Sequence, residues 1–199
     1  MSGKCTRKHD LDQGHAMTPY FFGYGSLVNR ATHAYPDARL ARARGWRRVW
    51  RHIEGRDHAV LTAVPDEASE IEGLVAAVPG ADWRALDARE AAYDRVDAAA
   101  HVVHDIGEVP MAIYWIPEAK HILASEPRPV LLSYLDVCVQ GYLREFGAEA
   151  VERFFDTTDG WGSVRDDRAA PVYPRAQQLE PVETELVDQA LARRGILRV

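Results

Sequence analysis

At 199 residues, 47% hydrophobic and 27% charged, the chain suits one domain with a substantial core, and its formal net charge of −6 argues against nucleic acid as a partner. Two cysteines, Cys5 and Cys138, cannot build a disulfide framework and fit a reducing, cytoplasmic compartment. No apolar stretch reaches membrane-spanning length, so no membrane partner is expected, and the leader Met1 to Met17 is polar, without a signal peptide's apolar middle. That leader is expected to be a disordered tail ahead of a domain over residues 18–199.

The first apolar run, Tyr20-Phe21-Phe22, reads as a short buried strand, broken at once by Gly23-Tyr24-Gly25-Ser26-Leu27. Gly23 and Gly25 open backbone angles closed to other residues. Consecutive N–H groups over Tyr24, Gly25, Ser26 and Leu27 can then converge on a carboxylate or an oxyanion, with the Ser26 hydroxyl as a further donor. The same turn also fits a plain exit from a strand. Ser26 is not read as a nucleophile, because Val28 stands where a nucleophile elbow needs its second glycine.

Strands are expected at Trp46 to Ile53, Ala59 to Val64 and Ile71 to Val78. Six arginines between Arg39 and Arg51 alternate with Trp46 and Trp50, a composition that can track phosphates. Strand spacing puts Trp46, Arg48 and Trp50 on one face and Arg47, Val49 and Arg51 on the other, where arginine stems cover a sheet's outer surface. An arginine guiding an acidic substrate fits the negative net charge better than nucleic-acid binding does.

A helix is expected from an Asp82 N-cap, with Trp83, Leu86, Glu90, Tyr93 and Asp97 at spacings of three and four. Glu90 then stands beside an apolar stripe, poorly solvated, with its pKa raised into the range where a carboxylate takes and returns a proton near neutrality. The alternative is a structural glutamate paired with Arg89 or Arg95. Further strands are expected at Ala98 to Asp105 and Met111 to Ile116. His101, His104 and Asp105, with His52 and His58, are metal-ligand types, but the helical zinc motif's glutamate is missing and the segment reads as strand. Surface or barrel-rim histidines are the better reading, and no metal is expected.

Glu126-Pro127-Arg128-Pro129 is expected to start a helix through about Phe146, striped by Leu131, Leu135, Cys138 and Tyr142 and capped by Gly147. Helices at Ala148 to Phe155 and Val182 to Arg194 follow. The fold class is α+β: a single domain on a mixed curled sheet or small β-barrel with flanking helices and a C-terminal helical extension.

Three segments, Phe22-Gly23-Tyr24-Gly25-Ser26-Leu27, Ile71-Glu72-Gly73-Leu74-Val75 and Leu86-Asp87-Ala88-Arg89-Glu90-Ala91-Ala92-Tyr93, occur in this order. Together they resemble the γ-glutamylcyclotransferases. Gly45 to Trp50 and Leu61 to Pro65 fit that family's second and third strands, so the resemblance covers Tyr20 to Ile116. Tyr134 to Gly141 is similar to its late helix. Nothing aromatic lies between Lys120 and Pro129, where some members carry a tyrosine.

The resemblance implies Glu90 as catalytic base and Tyr24, Gly25, Ser26 and Leu27 as substrate-binding residues. It implies cyclisation of a small γ-glutamyl compound to 5-oxoproline with release of an amine or amino acid, without cofactor or metal. The alternatives are a non-catalytic small-ligand binding or scaffold module of the same fold, and γ-glutamyl transfer to an external amine or water.

Overall fold

A computed structural model of the chain describes residues 17–123 and 128–199. Residues 1–16 of the expected tail, with Cys5, and Glu126-Pro127 of the expected helix start lie outside the described residues; Arg128 and Pro129 are not helical, Val130 and Leu131 are strand, and the helix begins only at Leu132.

β1 (Tyr20–Gly23) is buried along its whole length, as its aromatic run requires. It pairs antiparallel with β3 (Val60–Ala77), Phe22 opposite Val75, and parallel with β6 (Met111–Trp115), Phe22 opposite Ile113. The sheet extends past β6 to β4 (Asp94–Asp97) and past β3 to β2 (Arg39–Arg51) and β5 (Val102–Val103), with β8 (Thr158–Asp159) parallel on β2. β7 (Val130–Leu131) and β9 (Val164–Arg165) form a separate parallel pair. Among the described residues four helices flank this curled mixed sheet: α1 (Arg84–Arg89), α2 (Leu132–Phe146), α3 (Ala148–Asp156) and α4 (Pro181–Arg193). The architecture is the single α+β domain expected.

Alternation along β1 divides the core. Tyr20, Phe22 and Tyr24 enter the larger cluster with Leu61, Ile71 and the α2 stripe of Leu135, Cys138 and Tyr142. Phe21 faces the other way, packing with Leu27, Val78, Tyr114 and Leu86 of α1. The exit of β1 therefore lies between two packed layers.

Several element boundaries differ from the sequence expectation. The strands at Trp46 to Ile53, Ala59 to Val64 and Ile71 to Val78 are parts of two long strands, β2 and β3, paired from Arg39↔Val75 to Arg51↔Val60. Pro65 does not interrupt the hairpin because it sits opposite Trp46 beside the bulge at Gly45 (φ +74°), where a missing donor is tolerated. The helix expected from Asp82 to Asp97 is one short helix, α1, followed by a turn and β4. Trp83 is its N-cap, and Asp82 reaches past it to accept from the Arg84 N–H at 3.2 Å. Trp83, Leu86 and Tyr93 do share one apolar cluster, but helix and turn deliver them separately. Pairing with β6 imposes the two-residue period on Asp94 to Asp97. Ala98 to Asp105 contains only the two-residue β5, after a tight turn in which Val102 N–H donates to Ala98 O.

Glycine at position 73 is forced by the close approach of β3 to the end of β1. A β-carbon there would lie 2.3 Å from the Gly23 carbonyl oxygen and 2.5 Å from the Phe22 ring. Gly73→Ala should lower unfolding stability by about 3 kcal/mol or more. Gly162→Ala, where a β-carbon meets nothing within 4 Å, should stay within about 0.5 kcal/mol of the parent. Equal urea midpoints for the two variants would contradict this packing.

Candidate active site

The loop after β1 is held from behind. Arg48 Nε donates to the Tyr24 carbonyl at 3.0 Å, and the Tyr142 hydroxyl lies 2.9 Å from the same oxygen. In a trans peptide the next N–H points opposite to the carbonyl. The Gly25 N–H is thus turned away from the Arg48 side, towards a recess bordered by Leu61, Glu90, Tyr93, Tyr114 and Tyr134. A 3₁₀ turn, Ser26–Val28, follows without a side-chain cap. Among the described residues the N–H groups of Gly25, Ser26 and Leu27 meet no protein acceptor.

Other groups fix the turn to α2. Asn29 Nδ2 donates to Val137 O at 3.0 Å and Gln140 Oε1 at 2.8 Å. Gly141 lets the Asn29 backbone approach, since a β-carbon there would lie 2.8 Å from the Asn29 nitrogen. The side chains of Tyr24 and Leu27 serve packing, one in each core, and the Tyr24 hydroxyl donates to Tyr114 O at 2.6 Å. Ser26 Oγ is a junction, 2.8 Å from the Tyr173 hydroxyl and 3.2 Å from Arg89 Nη2.

Glu90 caps the C-terminus of α1, its N–H bonded to Leu86 O at 2.9 Å. Its side chain, 15% exposed, accepts from Arg89 Nε at 3.0 Å. Burial pushes the carboxyl pKa up, opposed by the guanidinium charges of Arg89 and Arg175 and by the Arg89 hydrogen bond. Both sequence readings of this residue are therefore present together: it is poorly solvated and it is paired with Arg89. Arg95 is engaged elsewhere, on Asp87 at 2.9 Å and over the Trp83 ring. Arg89 also donates to Thr32 O at 2.9 Å, so the base of α1 and the Ser26 turn share one guanidinium.

Glu90, with Ser26, Leu61, Tyr93 and Tyr134, borders two spaces, the recess under the loop and an open cleft of about 270 Å³. Aromatic rings wall them. Tyr134, in the first turn of α2, packs edge-on against Tyr173 at 5.0 Å, and a β-carbon on Gly25 would come within 2.6 Å of its hydroxyl. Burial raises the hydroxyl pKa values of Tyr93 and Tyr134 well above the usual range, which keeps both neutral. Tyr93 donates to Leu61 O at 2.7 Å.

Tyr173 and Arg175 come from the segment before α4. Buried Asp167 pins it by accepting from the Ser133 N–H at 2.7 Å, the Ser133 hydroxyl at 2.6 Å and the Val172 N–H at 2.9 Å. Sequence reading assigned no role to Tyr134, Tyr173 or Arg175; only the Tyr134 segment carried a signal, through its helix motif.

The remaining candidates disperse. His101 packs edge-on against Trp46, His104 Nδ1 accepts from the Ile106 N–H at 3.2 Å, and Asp105 lies 3.7 Å from Arg39. Among the described residues no group of three or more His, Cys, Asp or Glu is arranged to hold a metal ion. Arg39, Arg42, Arg44, Arg47 and Arg51 each face a carboxylate. No helix among the described residues is long and apolar enough to cross a membrane.

Residues 21–136 match the family model described as "Gamma-glutamyl cyclotransferase, AIG2-like". A search of curated proteins finds no match. Among solved structures, one named "Gamma-glutamyl cyclotransferase" superposes with a TM-score of 0.56 at 15% identity, covering 86% of this chain and 99% of its own. The uncharacterized protein loc79017 from Homo sapiens gives 0.54 at 16% identity, covering 85% and 97%. YkqA from Bacillus subtilis gives 0.51 at 19% identity, covering 70% of this chain and 53% of its own.

The raised pKa of Glu90 has a signed consequence for stability. Between its ordinary value of 4.5 and its raised folded value the native state holds the extra proton, so Glu90's contribution to stability falls as pH rises through that window. Glu90→Gln removes this decline. The stability of the variant relative to the parent should therefore grow with pH across that window and level off above it. Urea unfolding at a series of pH values checks this, and a pH-independent difference would contradict it.

Proposed function

Because the chain belongs to the γ-glutamyl cyclotransferase, AIG2-like family, we propose that it cyclises a small γ-glutamyl compound to 5-oxoproline and releases an amine or amino acid. The observation that carries this reading is the position of Glu90, a desolvated carboxylate shared by the recess under the glycine loop and the open cleft.

The γ-glutamyl α-amine is protonated in water and must lose a proton before it can attack. Glu90 accepts that proton. The amine nitrogen then bonds to the γ-carbonyl carbon, closing a five-membered ring, and the amide C–N bond breaks as the Glu90 carboxyl gives its proton to the departing nitrogen; the freed carboxylate takes the second proton of the ring nitrogen and passes it on, so that the lactam keeps one N–H and the amine leaves as an ammonium ion. Atoms and charge balance without a further reactant, because one substrate yields 5-oxoproline and one amine. Nucleophile and electrophile share one molecule, so the protein's main task is to hold the reactive conformation.

The N–H groups of Gly25, Ser26 and Leu27 supply the donors for a substrate carboxylate or for the oxyanion that develops on the γ-carbonyl. The guanidinium of Arg89 opposes the rise that burial gives the Glu90 pKa and so favours the carboxylate form that a base requires. Tyr93 and Tyr134, neutral and half-buried, wall the ring-closing space and limit its access to water.

Incubating the protein with γ-glutamyl amino acids, γ-glutamylamines and glutathione, and assaying 5-oxoproline, tests the reading directly. Glu90→Gln keeps shape and hydrogen-bonding reach but cannot take the proton, so turnover should fall by about a hundredfold or more while substrate still binds. Near-normal turnover with a marked loss of stability would make Glu90 a structural ion-pair residue and favour the binding-module alternative.

A further inference from the structure

Two guanidinium groups in the cleft have no carboxylate partner among the described residues: Arg56 and Arg175. They stand apart from Arg39, Arg42, Arg44, Arg47 and Arg51 of β2, which each face a carboxylate. Their segments are independently braced. The turn between β2 and β3 that carries Arg56 is gripped by Arg128, which donates to the Ile53 carbonyl at 2.8 Å and to the Arg56 carbonyl. Arg165 holds the next residue, Asp57, at 3.0 Å. Arg175 follows the Asp167-pinned segment whose Tyr173 hydroxyl reaches Ser26. It is half-buried and near enough to Glu90 for its charge to act on that carboxyl.

The partition of the site gives these cations a direction. Both border the open cleft and neither borders the recess under the glycine loop, while Glu90 borders both spaces. A γ-glutamyl group reacting in the recess projects its leaving group past Glu90 into the cleft. Among the described residues the only carboxylate lining the cleft is Glu90 itself, already paired with Arg89. We propose that Arg56 and Arg175 form an anion subsite that selects γ-glutamyl compounds whose leaving amine itself carries a carboxylate, as an amino acid or peptide does. The inference rests on the cyclotransferase reading of the same site. Guanidinium forks suit it, because each can engage a carboxylate through two parallel donors.

γ-Glutamylalanine and γ-glutamylethylamine differ only by the carboxylate on the leaving group. The parent should favour the first by about tenfold or more in kcat/KM, the range expected for a charge-assisted contact. Arg175→Ala and Arg56→Ala should each move that ratio towards one. Arg175→Lys should lie between, and added salt should compress the parent's ratio.

A parent ratio near one, with 5-oxoproline still formed, would overturn the subsite and leave the cyclotransferase reading standing. An unchanged ratio in both alanine variants would overturn it as well. Parallel losses on both substrates would assign the arginines to the γ-glutamyl group's own carboxylate, again against the proposal. No 5-oxoproline from either substrate would remove the cyclotransferase reading and the subsite together.

Discussion

A guanidinium buried without a carboxylate partner among the described residues holds the site together. Arg48 is 1% exposed. Its charge is met by the Tyr24 carbonyl at 3.0 Å, the Glu72 carbonyl at 2.5 Å, the Thr157 hydroxyl at 2.7 Å and the Tyr142 hydroxyl. The rings of Tyr142 and Phe154 lie 4.9 and 5.1 Å from its central carbon. Burying a cation is costly unless its donors are satisfied, and a planar fork between π faces satisfies several at once. The exit of β1, the middle of β3, α2 and the end of α3 therefore meet at one side chain. Because Tyr24's carbonyl is drawn into that core, the following N–H groups are presented to the recess.

The second constraint is the balance at Glu90. Burial alone pushes the carboxyl pKa up, whereas full pairing in water would make it an ordinary surface glutamate. Arg89 sits between these limits, bonded at once to Glu90, Thr32 and Ser26. The turn that presents backbone donors and the residue read as the base are thus coupled through one guanidinium, and a shift of either would disturb the other. The C-terminal segment completes the wall through Tyr173, beyond the residues that the family model matches.

Much of this was legible in the sequence, for identifiable reasons. The aromatic run and paired glycines mark the end of β1, because buried strand and tight turn each demand those residue types. Glu90 was legible as an apolar-stripe carboxylate, although the helix carrying it is shorter than its spacing suggests. Residues three and four apart share a face in a helix, but Tyr93 reaches the same cluster from a turn. The long hairpin was hidden because Pro65 to Glu70 is largely exposed and lacks the apolar alternation that announces a strand. Arg48 shared a strand face with Trp46 and Trp50 in the sequence reading, yet its burial depends on acceptors from distant segments. The places of Tyr173 and Arg175 depend on Asp167 reaching back to Ser133, a long-range contact with no local signature.

The central claim is that the nucleophile is the substrate's own amine and that water takes no part in breaking the amide bond. Running the reaction in ¹⁸O-labelled water and following the products by mass spectrometry tests this most directly. The account predicts 5-oxoproline without solvent oxygen, formed in equal amount with the released amine, and no glutamate. Free glutamate carrying one ¹⁸O at its γ-carboxyl would contradict it, since that label enters only when water attacks the carbonyl.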